Sequence, residues 1–302
     1  MPVAYATSRG RMLRGKIEDF LDSAEATRYK GKVQLIFTSP PFPLNRKKRY
    51  GNLQGDEYAA WLSSLAPKLI SLLKPNGSIV IEVGNAWEPG RPVMSVLAMR
   101  SLLEFMGAGN LRLCQQFVCD NPARLPSPVQ WVNVKRIRVK DSFTHIWWMA
   151  PTDWPKADNR RVLKKYSAAM RTLLRSKKYN AGKRPSQHNI GAKSFLRDNG
   201  GAIAANCLSF TNTKSVGEYL NYCRELGLKP HPARMPTGLA EFFIQFLTSP
   251  RDLVLDPFAG SNTTGAVAET LKRRWIAIEP ESEYIASSVG RFSSRAVEVT
   301  RR

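Results

Sequence analysis

The stretch Leu253–Gly265, LVLDPFAGSNTTG, decides the fold. An apolar run ends in Asp256, a turn containing Gly260 and Ser261 follows, and a helix-compatible TTGAVAETLKRR continues from Thr263. A second apolar run, Trp275–Glu279, then ends in an acid. Strand, tight turn, helix and strand in this order form a nucleoside-binding βαβ unit. The turn lets a ligand approach the backbone, and the acid after the second strand accepts ribose hydroxyls. Asp256, Pro257, Phe258, Gly260, Ser261, Asn262, Thr263 and Glu279 are therefore the expected ligand contacts.

Two common ligands are disfavoured by the same turn. A phosphate loop needs Lys directly after its last Gly, whereas Ala266 follows Gly265, and Asn262 and Thr263 break the GxGxxG spacing of a nicotinamide site. A carboxylate at the strand end, Asp256, repels a pyrophosphate but attracts a cofactor carrying an ammonium group. S-adenosylmethionine has both an amino group and a sulfonium.

Outward from this unit, Val33–Phe37 and Ser78–Val83 read as further buried parallel strands. Helical patterns separate them. Tyr58–Leu73 places Ala59, Leu62, Leu65, Leu69 and Leu73 on one face, with Pro67 expected to kink or split it. Met94–Met106, stopped by Gly107, and Leu239–Leu247, followed by Pro250, read as apolar helices. The alternation predicts an α/β fold with helices on both faces of a mostly parallel, twisted sheet.

The chain has 302 residues, enough for one large domain with an insert. Its 46 Lys and Arg stand against 24 Asp and Glu, a net charge of +22 that implies a polyanionic partner, nucleic acid first. The excess is concentrated. From Lys156 to Arg197 the chain carries Arg160, Arg161, Lys164, Lys165, Arg171, Arg175, Lys177, Lys178, Lys183, Arg184 and Lys193, with Asp158 as its one acid. Tyr166, Tyr179 and Phe195 interleave with these cations, and a capping-box pattern at Ser215 and Glu218 with a stop at Gly227 marks the return of order. Residues 151–230 are read as an insert that holds nucleic acid, 1–150 as the first half of the main domain and 231–302 as the second.

No uninterrupted apolar run is long enough for a membrane span, and the polar start MPVAYATSRGR lacks a signal-peptide centre, so a cytoplasmic protein is expected. Cys114, Cys119, Cys207 and Cys223 show no CxxC spacing, and His145, His188 and His231 are scattered. Neither a metal site nor a disulfide framework is indicated.

A second motif, FTSPPF (Phe37–Phe42), ends the first parallel strand in a stiff loop. TSPPF together with DPFAGSNTTG and WIAIEP resembles the amino-group DNA methyltransferases, bacterial and archaeal enzymes that use S-adenosylmethionine to methylate exocyclic amines. The order, proline motif, basic insert, then cofactor motif, resembles the permuted beta group of that family. EYAAWLSSL, LLKPNGSIVIEVG and HPARMPTGLAEFFIQFL resemble family segments in the same order; the insert matches none. The resemblance implies a Rossmann-like S-adenosylmethionine-dependent methyltransferase fold and double-stranded DNA as substrate. It also implies the insert as target-recognition region and a companion restriction endonuclease.

The chemistry of that reaction explains the loop. A conjugated exocyclic amine is a poor nucleophile, so an enzyme must hold it in line with the methyl donor and accept its N–H bonds. Ser39 and the carbonyl of Pro40 are the expected acceptors, Pro40 and Pro41 stiffen the loop, and Phe42 offers a stacking face to an extruded base. SPPF resembles the motif of cytosine-N4 enzymes, whereas adenine-N6 enzymes, the alternative, usually carry Asp or Asn before Pro-Pro. A non-catalytic DNA-binding protein with a vestigial fold is the alternative of another class. Methylation at cytosine C5 needs a thiolate, usually in a Pro-Cys pair, and no Pro precedes any of the four cysteines. Arg46, Lys47 and Lys48 follow the loop as candidate phosphate contacts.

The family pattern is broken in three places. Lys16 stands where an acid often follows Gly15, leaving Glu18 or Asp19 as substitutes. Asn262 replaces a second loop glycine, which its tolerance of positive φ allows. Thr144 and His145 stand where an acid is expected before a strand, and His145 is assigned no role.

Overall fold

The structure, a computed structural model, describes residues 1–42, 55–210 and 217–292 and the backbone of 298–299. The chain opens with an antiparallel pair, β1 (Val3–Ala6) and β2 (Gly10–Arg14), and two short helices, α1 (Ile17–Leu21) and α2 (Ala24–Thr27). Next come β3 (Val33–Thr38), α3 (Gly55–Leu72), β4 (Leu73–Val83), α4 (Leu97–Gly109) and the antiparallel strands β5 (Arg112–Asp120) and β6 (Phe143–Ala150). The basic middle carries α5 (Ala168–Ser176) and a ladder of β7 (Gly182–Lys183) with β8 (Asn189–Ile190). After β9 (Cys207–Ser209) follow α6 (Gly217–Glu225), α7 (Thr237–Leu247), β10 (Leu253–Asp256) and α8 (Thr263–Thr270). Then come β11 (Arg274–Glu279), α9 (Ser282–Ser288) and β12 (Glu298–Val299).

Among the described residues ten strands form one sheet in the order β12-β1-β2-β11-β10-β3-β4-β6-β5-β9. The central five, β2, β11, β10, β3 and β4, are parallel. Every residue of β3 and of β10 is buried, as expected for parallel strands covered on both faces. Alternation then divides the side chains. Ile36, Ile79, Ile81, Leu255 and Ile278 join the α3 and α4 residues Leu62, Leu65, Leu69 and Phe105 in one core. On the opposite face Phe37 and Phe117 meet Phe243 of α7, with ring centroids 5.5 and 5.1 Å apart.

Several expectations are corrected in detail. Pro67 does not split α3: it lies on the exposed side, where the carbonyl left without a helical N–H partner faces water. Gly107 does not stop α4, which continues to Gly109. Asn110, at φ 46°, closes it, with the Leu111 N–H returning to the Met106 carbonyl at 3.0 Å. Ser215 lies outside the described residues, whereas Gly227 does end α6 at φ 63°.

The chain divides into two compact units, one of 1–157 with 206–302 and one of Asp158–Ala205. The compact basic unit is thus narrower than 151–230. Residues after 205 join the first unit because β9 extends the sheet beside β5 and because Tyr219 of α6 bonds through its hydroxyl to Ser287 of α9 at 2.9 Å. In the second unit Ser167 caps α5, Tyr179 packs edge-on against Phe195 at 5.5 Å, and Val162 is the one buried apolar side chain.

The sheet order also fixes where a ligand belongs. The crossover after β3 runs through α3 to β4 on one side, and the crossover after β10 runs through α8 to β11 on the other. Adjacent parallel strands whose connections diverge create a crevice beyond their carboxyl ends, the position at which open α/β sheets bind ligands. Here those ends are Thr38 and Asp256.

Candidate active site

The two motifs, far apart in sequence, meet at this crevice. Parallel pairing sets Leu255 against Ile36, and the Thr38 hydroxyl donates to Asp256 Oδ1 at 2.7 Å. The Phe258 N–H reaches the same oxygen at 3.2 Å, so the start of the turn is tied to the strand it leaves. Its remainder is shaped by two positive-φ residues. Gly260, at φ 50°, lies so near His231 that a Cβ would stand 3.0 Å from the imidazole Nε2. Asn262, at φ 53°, caps α8 by accepting from the Gly265 N–H at 3.0 Å and donates to the buried Tyr5 hydroxyl at 2.9 Å.

Glu279 ends β11 beside the turn, accepting from the Gly260 N–H at 2.8 Å and from the Glu281 N–H at 3.0 Å. Burial pushes its pKa up to about 7 in spite of these two bonds. Burial likewise raises Asp256 to about 6 against the pull of Thr38.

These elements open onto one cavity of about 890 Å³, within the roughly 300–1,000 Å³ common for small-molecule sites. Ser39, Pro40, Pro41 and Phe42 line it, as do Asp256, Pro257, Phe258, Gly260, Ser261, Thr263 and Glu279. The exception among the expected contacts is Asn262, which is fully buried outside the lining because both ends of its amide serve the cap and Tyr5. Phe42 is 7% exposed and stands edge-on to Tyr58, with centroids 5.4 Å apart.

Of the two acids suggested in place of the one missing after Gly15, Glu18 lines the cavity and Asp19 does not. Glu18 accepts from the Trp61 indole N–H at 2.7 Å, and the Trp61 ring lies 5.6 Å from that of Phe258.

The cavity also contains groups that the sequence reading missed. Glu82, near the end of β4, accepts from the Thr144 hydroxyl at 3.0 Å, and burial raises its pKa while Thr144 and Arg124 pull it down. The acid expected before β6 thus comes from the neighbouring strand and is met by Thr144. A single acid closing the apolar run SIVIEV was its sequence signal. His145 is buried against the rings of Phe143 and Trp147, outside the lining. Cys119 is the one cysteine at the cavity, and burial pushes its thiol up to about 12, so it presents no thiolate.

Of the cations expected to hold nucleic acid, Arg46, Lys47 and Lys48 lie outside the described residues. Arg160, Arg161, Lys164, Lys165, Lys177, Lys178, Lys183 and Arg184 all fall in the second unit, most of them exposed. Some are engaged there: Arg160 holds Asp158 through bonds of 2.8 and 2.9 Å, lowering that carboxyl to about 2, Arg161 approaches it at 3.5 Å, and Arg184 donates to the Asn180 carbonyl at 2.7 Å.

The raised carboxyls make stability fall with pH. Each binds its proton more tightly folded than unfolded, so the unliganded protein loses stability as pH rises from about 4 through 6 for Asp256 and 7 for Glu279. Either shift corresponds to about 3 kcal/mol, and the two are coupled. Urea unfolding at pH 4.5 and 7.5 is expected to show this decline, flattened in Glu279→Gln; an equal decline in that variant would remove the assignment.

A mostly parallel sheet with a carboxylate-ended second strand and a cavity over its switch point is the methyltransferase form of the Rossmann architecture. Comparison with known proteins gives the family. The DNA methylase family model matches residues 33–289. The chain is 46% identical over 291 residues to the Type II methyltransferase M.PvuII of Proteus hauseri, covering 96% of this chain and 85% of that protein. The solved structure named PvuII DNA methyltransferase (cytosine-N4-specific) superposes with a TM-score of 0.77 at 40% identity, over 96% of this chain and 88% of the other. The M1.HpyAVI–SAM complex shares the fold at a TM-score of 0.54 and 19% identity, over 94% of this chain and all (100%) of the other. The chain belongs to the DNA methylase family.

Proposed function

We infer that this chain is a DNA methyltransferase that uses S-adenosylmethionine to methylate N4 of a cytosine flipped out of duplex DNA. The observation that carries this reading is the single cavity shared by the Ser39–Phe42 loop and the Asp256–Thr263 turn. The 46% identity to M.PvuII, whose solved counterpart is named cytosine-N4-specific, supports the choice of atom.

The cavity residues suit the cofactor. Asp256 and Glu18 favour a cationic ligand, Glu279 retains lone pairs for a diol, and Trp61 and Phe258 form an aromatic wall. When bound, S-adenosylmethionine supplies an electrophilic methyl group on a positively charged sulfur. The chain's own part is positional. Ser39 Oγ and the Pro40 carbonyl accept the amine N–H bonds, the paired prolines limit loop motion, and Phe42 stacks on the base. Stacking worth roughly 1–3 kcal/mol offsets part of the cost of flipping. Glu82, oriented by Thr144, takes up the proton that the amine sheds once alkylated.

The second unit, with twelve Lys and Arg against two Asp, acts as the target-recognition region. Arg46, Lys47 and Lys48 grip phosphates near the flipped nucleotide. A companion restriction endonuclease cleaves the same sequence, as suits a relative of a Type II methyltransferase. Among the described residues no helix is long and apolar enough to cross a membrane, and the enzyme works in the cytoplasm, where its DNA is.

Incubation with labelled S-adenosylmethionine and DNA, followed by digestion to nucleosides, tests the proposal. Label is expected in N4-methyldeoxycytidine. Label in adenosine would move the target to N6, and no label in any DNA would favour a binding protein without catalysis.

A further inference from the structure

The connection between β5 and β6, residues 121–142, carries a surface that the catalytic account leaves unused. It leaves the sheet at the edge where the parallel strands end, and Asn121, Arg124 and Ser142 at its two roots line the cavity. The connection is ordered by its own bonds. The Asn121 N–H donates to the Ser142 carbonyl at 2.9 Å, and the Asp141 N–H to that of Ser127 at 2.9 Å. Lys140 Nζ reaches the Pro122 carbonyl at 3.2 Å, and Asn85 holds the Asp141 carboxylate at 2.6 Å.

None of the 121–142 side chains is buried, yet the segment is rich in apolar ones. Leu125 is 81% exposed and Val139 87%, the first next in sequence to the cavity-lining Arg124 and the second shortly before the cavity-lining Ser142, and Val129, Val134 and Ile137 between them are exposed as well. An apolar surface presented to water by a bonded framework marks an interaction site. Its charges identify the partner. Arg124, Lys135, Arg136, Arg138 and Lys140 stand among the apolar residues, and the one acid, Asp141, is already engaged by Asn85. A second copy of the chain would bring the same cations against these and be repelled. A polyanion with an apolar interior, duplex DNA, satisfies both features.

We propose that 121–142 is a wedge arm: Leu125 and Val139 enter the duplex at the target pair and fill the space of the departing cytosine, while the arm's cations hold the flanking phosphates. This rests on the base-flipping reading above. The vacated stack is otherwise an apolar gap open to water, and an inserted aliphatic side chain lowers the cost of opening it.

The test is the double variant Leu125→Ala/Val139→Ala, assayed on a matched duplex and on one with an abasic site opposite the target cytosine. Both side chains project into solvent, so folding and S-adenosylmethionine affinity are expected to stay within about threefold of wild type. Methylation of the matched duplex, as kcat/KM, is expected to fall about 10- to 100-fold, and that of the abasic duplex, whose target is already unpaired, far less. Equal loss on both substrates, or none on the matched one, overturns the wedge. So does sedimentation showing a wild-type dimer that the double variant loses, which would make the surface a contact between copies. A wild-type protein that methylates neither duplex removes instead the reading on which the wedge rests.

Discussion

Ser39→Ala is expected to slow methyl transfer about 10²- to 10³-fold while S-adenosylmethionine binds as in wild type, because it removes one preorganised acceptor at the reacting amine. Ser39 is exposed within the cavity and follows Thr38, whose own hydroxyl is committed to Asp256, so the substitution leaves the bond between strand end and turn intact. The missing acceptor matters most as the amine pyramidalises and its N–H bonds polarise, which places the loss in the chemical step. Single-turnover methylation beside equilibrium cofactor titration separates the two quantities. An unchanged single-turnover rate would show that the hydroxyl is not at the amine.

The second large effect lies at the other end of the cavity. Glu279→Ala is expected to raise the cofactor Kd about 100-fold, in keeping with roughly 1.5–3 kcal/mol for a charged hydrogen bond. The loss is twofold in origin. The ribose acceptor disappears, and the N–H groups of Gly260 and Glu281, which Glu279 accepts, lose the partner that shapes the turn. Glu279→Gln, which keeps one carbonyl acceptor, is expected to fall between Ala and wild type. Calorimetry showing wild-type affinity in the Ala variant would remove Glu279 from the cofactor site, whatever its effect on stability.

What the sequence made legible follows from how local each signal is. The runs VQLIF and LVLD announced central strands because a parallel strand buried on both faces needs an unbroken apolar run, and both occur where expected. The turn after Asp256 was legible because Gly260 and Asn262 are residue types that accept positive φ, and both adopt it. The same tolerance of positive φ does not reveal where the Asn262 side chain points, which is away from the cavity lining. Its backbone role was visible, but the Tyr5 hydroxyl that takes its amide comes from the far end of the chain.

The partners hidden from the sequence are products of strand register and of packing between elements. Glu82 meets Thr144 because β4 and β6 pair antiparallel with Glu82 opposite Ile146. Nothing local in SIVIEVG or FTHIWW sets that alignment. The helical pattern and the segment EYAAWLSSL place Tyr58 and Trp61 on α3, but only packing sets Trp61 against Glu18 and Tyr58 against Phe42. The limits of the basic insert were blurred by composition, since the pairing of β9 with β5, not charge, decides where the sheet resumes.

The central claim is spatial: the turn and the proline loop hold two reactants in one chamber. A crystal structure with a non-transferring cofactor analogue and a duplex containing the target cytosine tests it directly. The account predicts the analogue against Glu279 and Asp256 and an extruded cytosine against Phe42, with N4 about 3–3.5 Å from the position of the methyl donor. A cofactor analogue bound in this cavity beside DNA whose cytosine stays stacked, or is extruded to another surface, would contradict it.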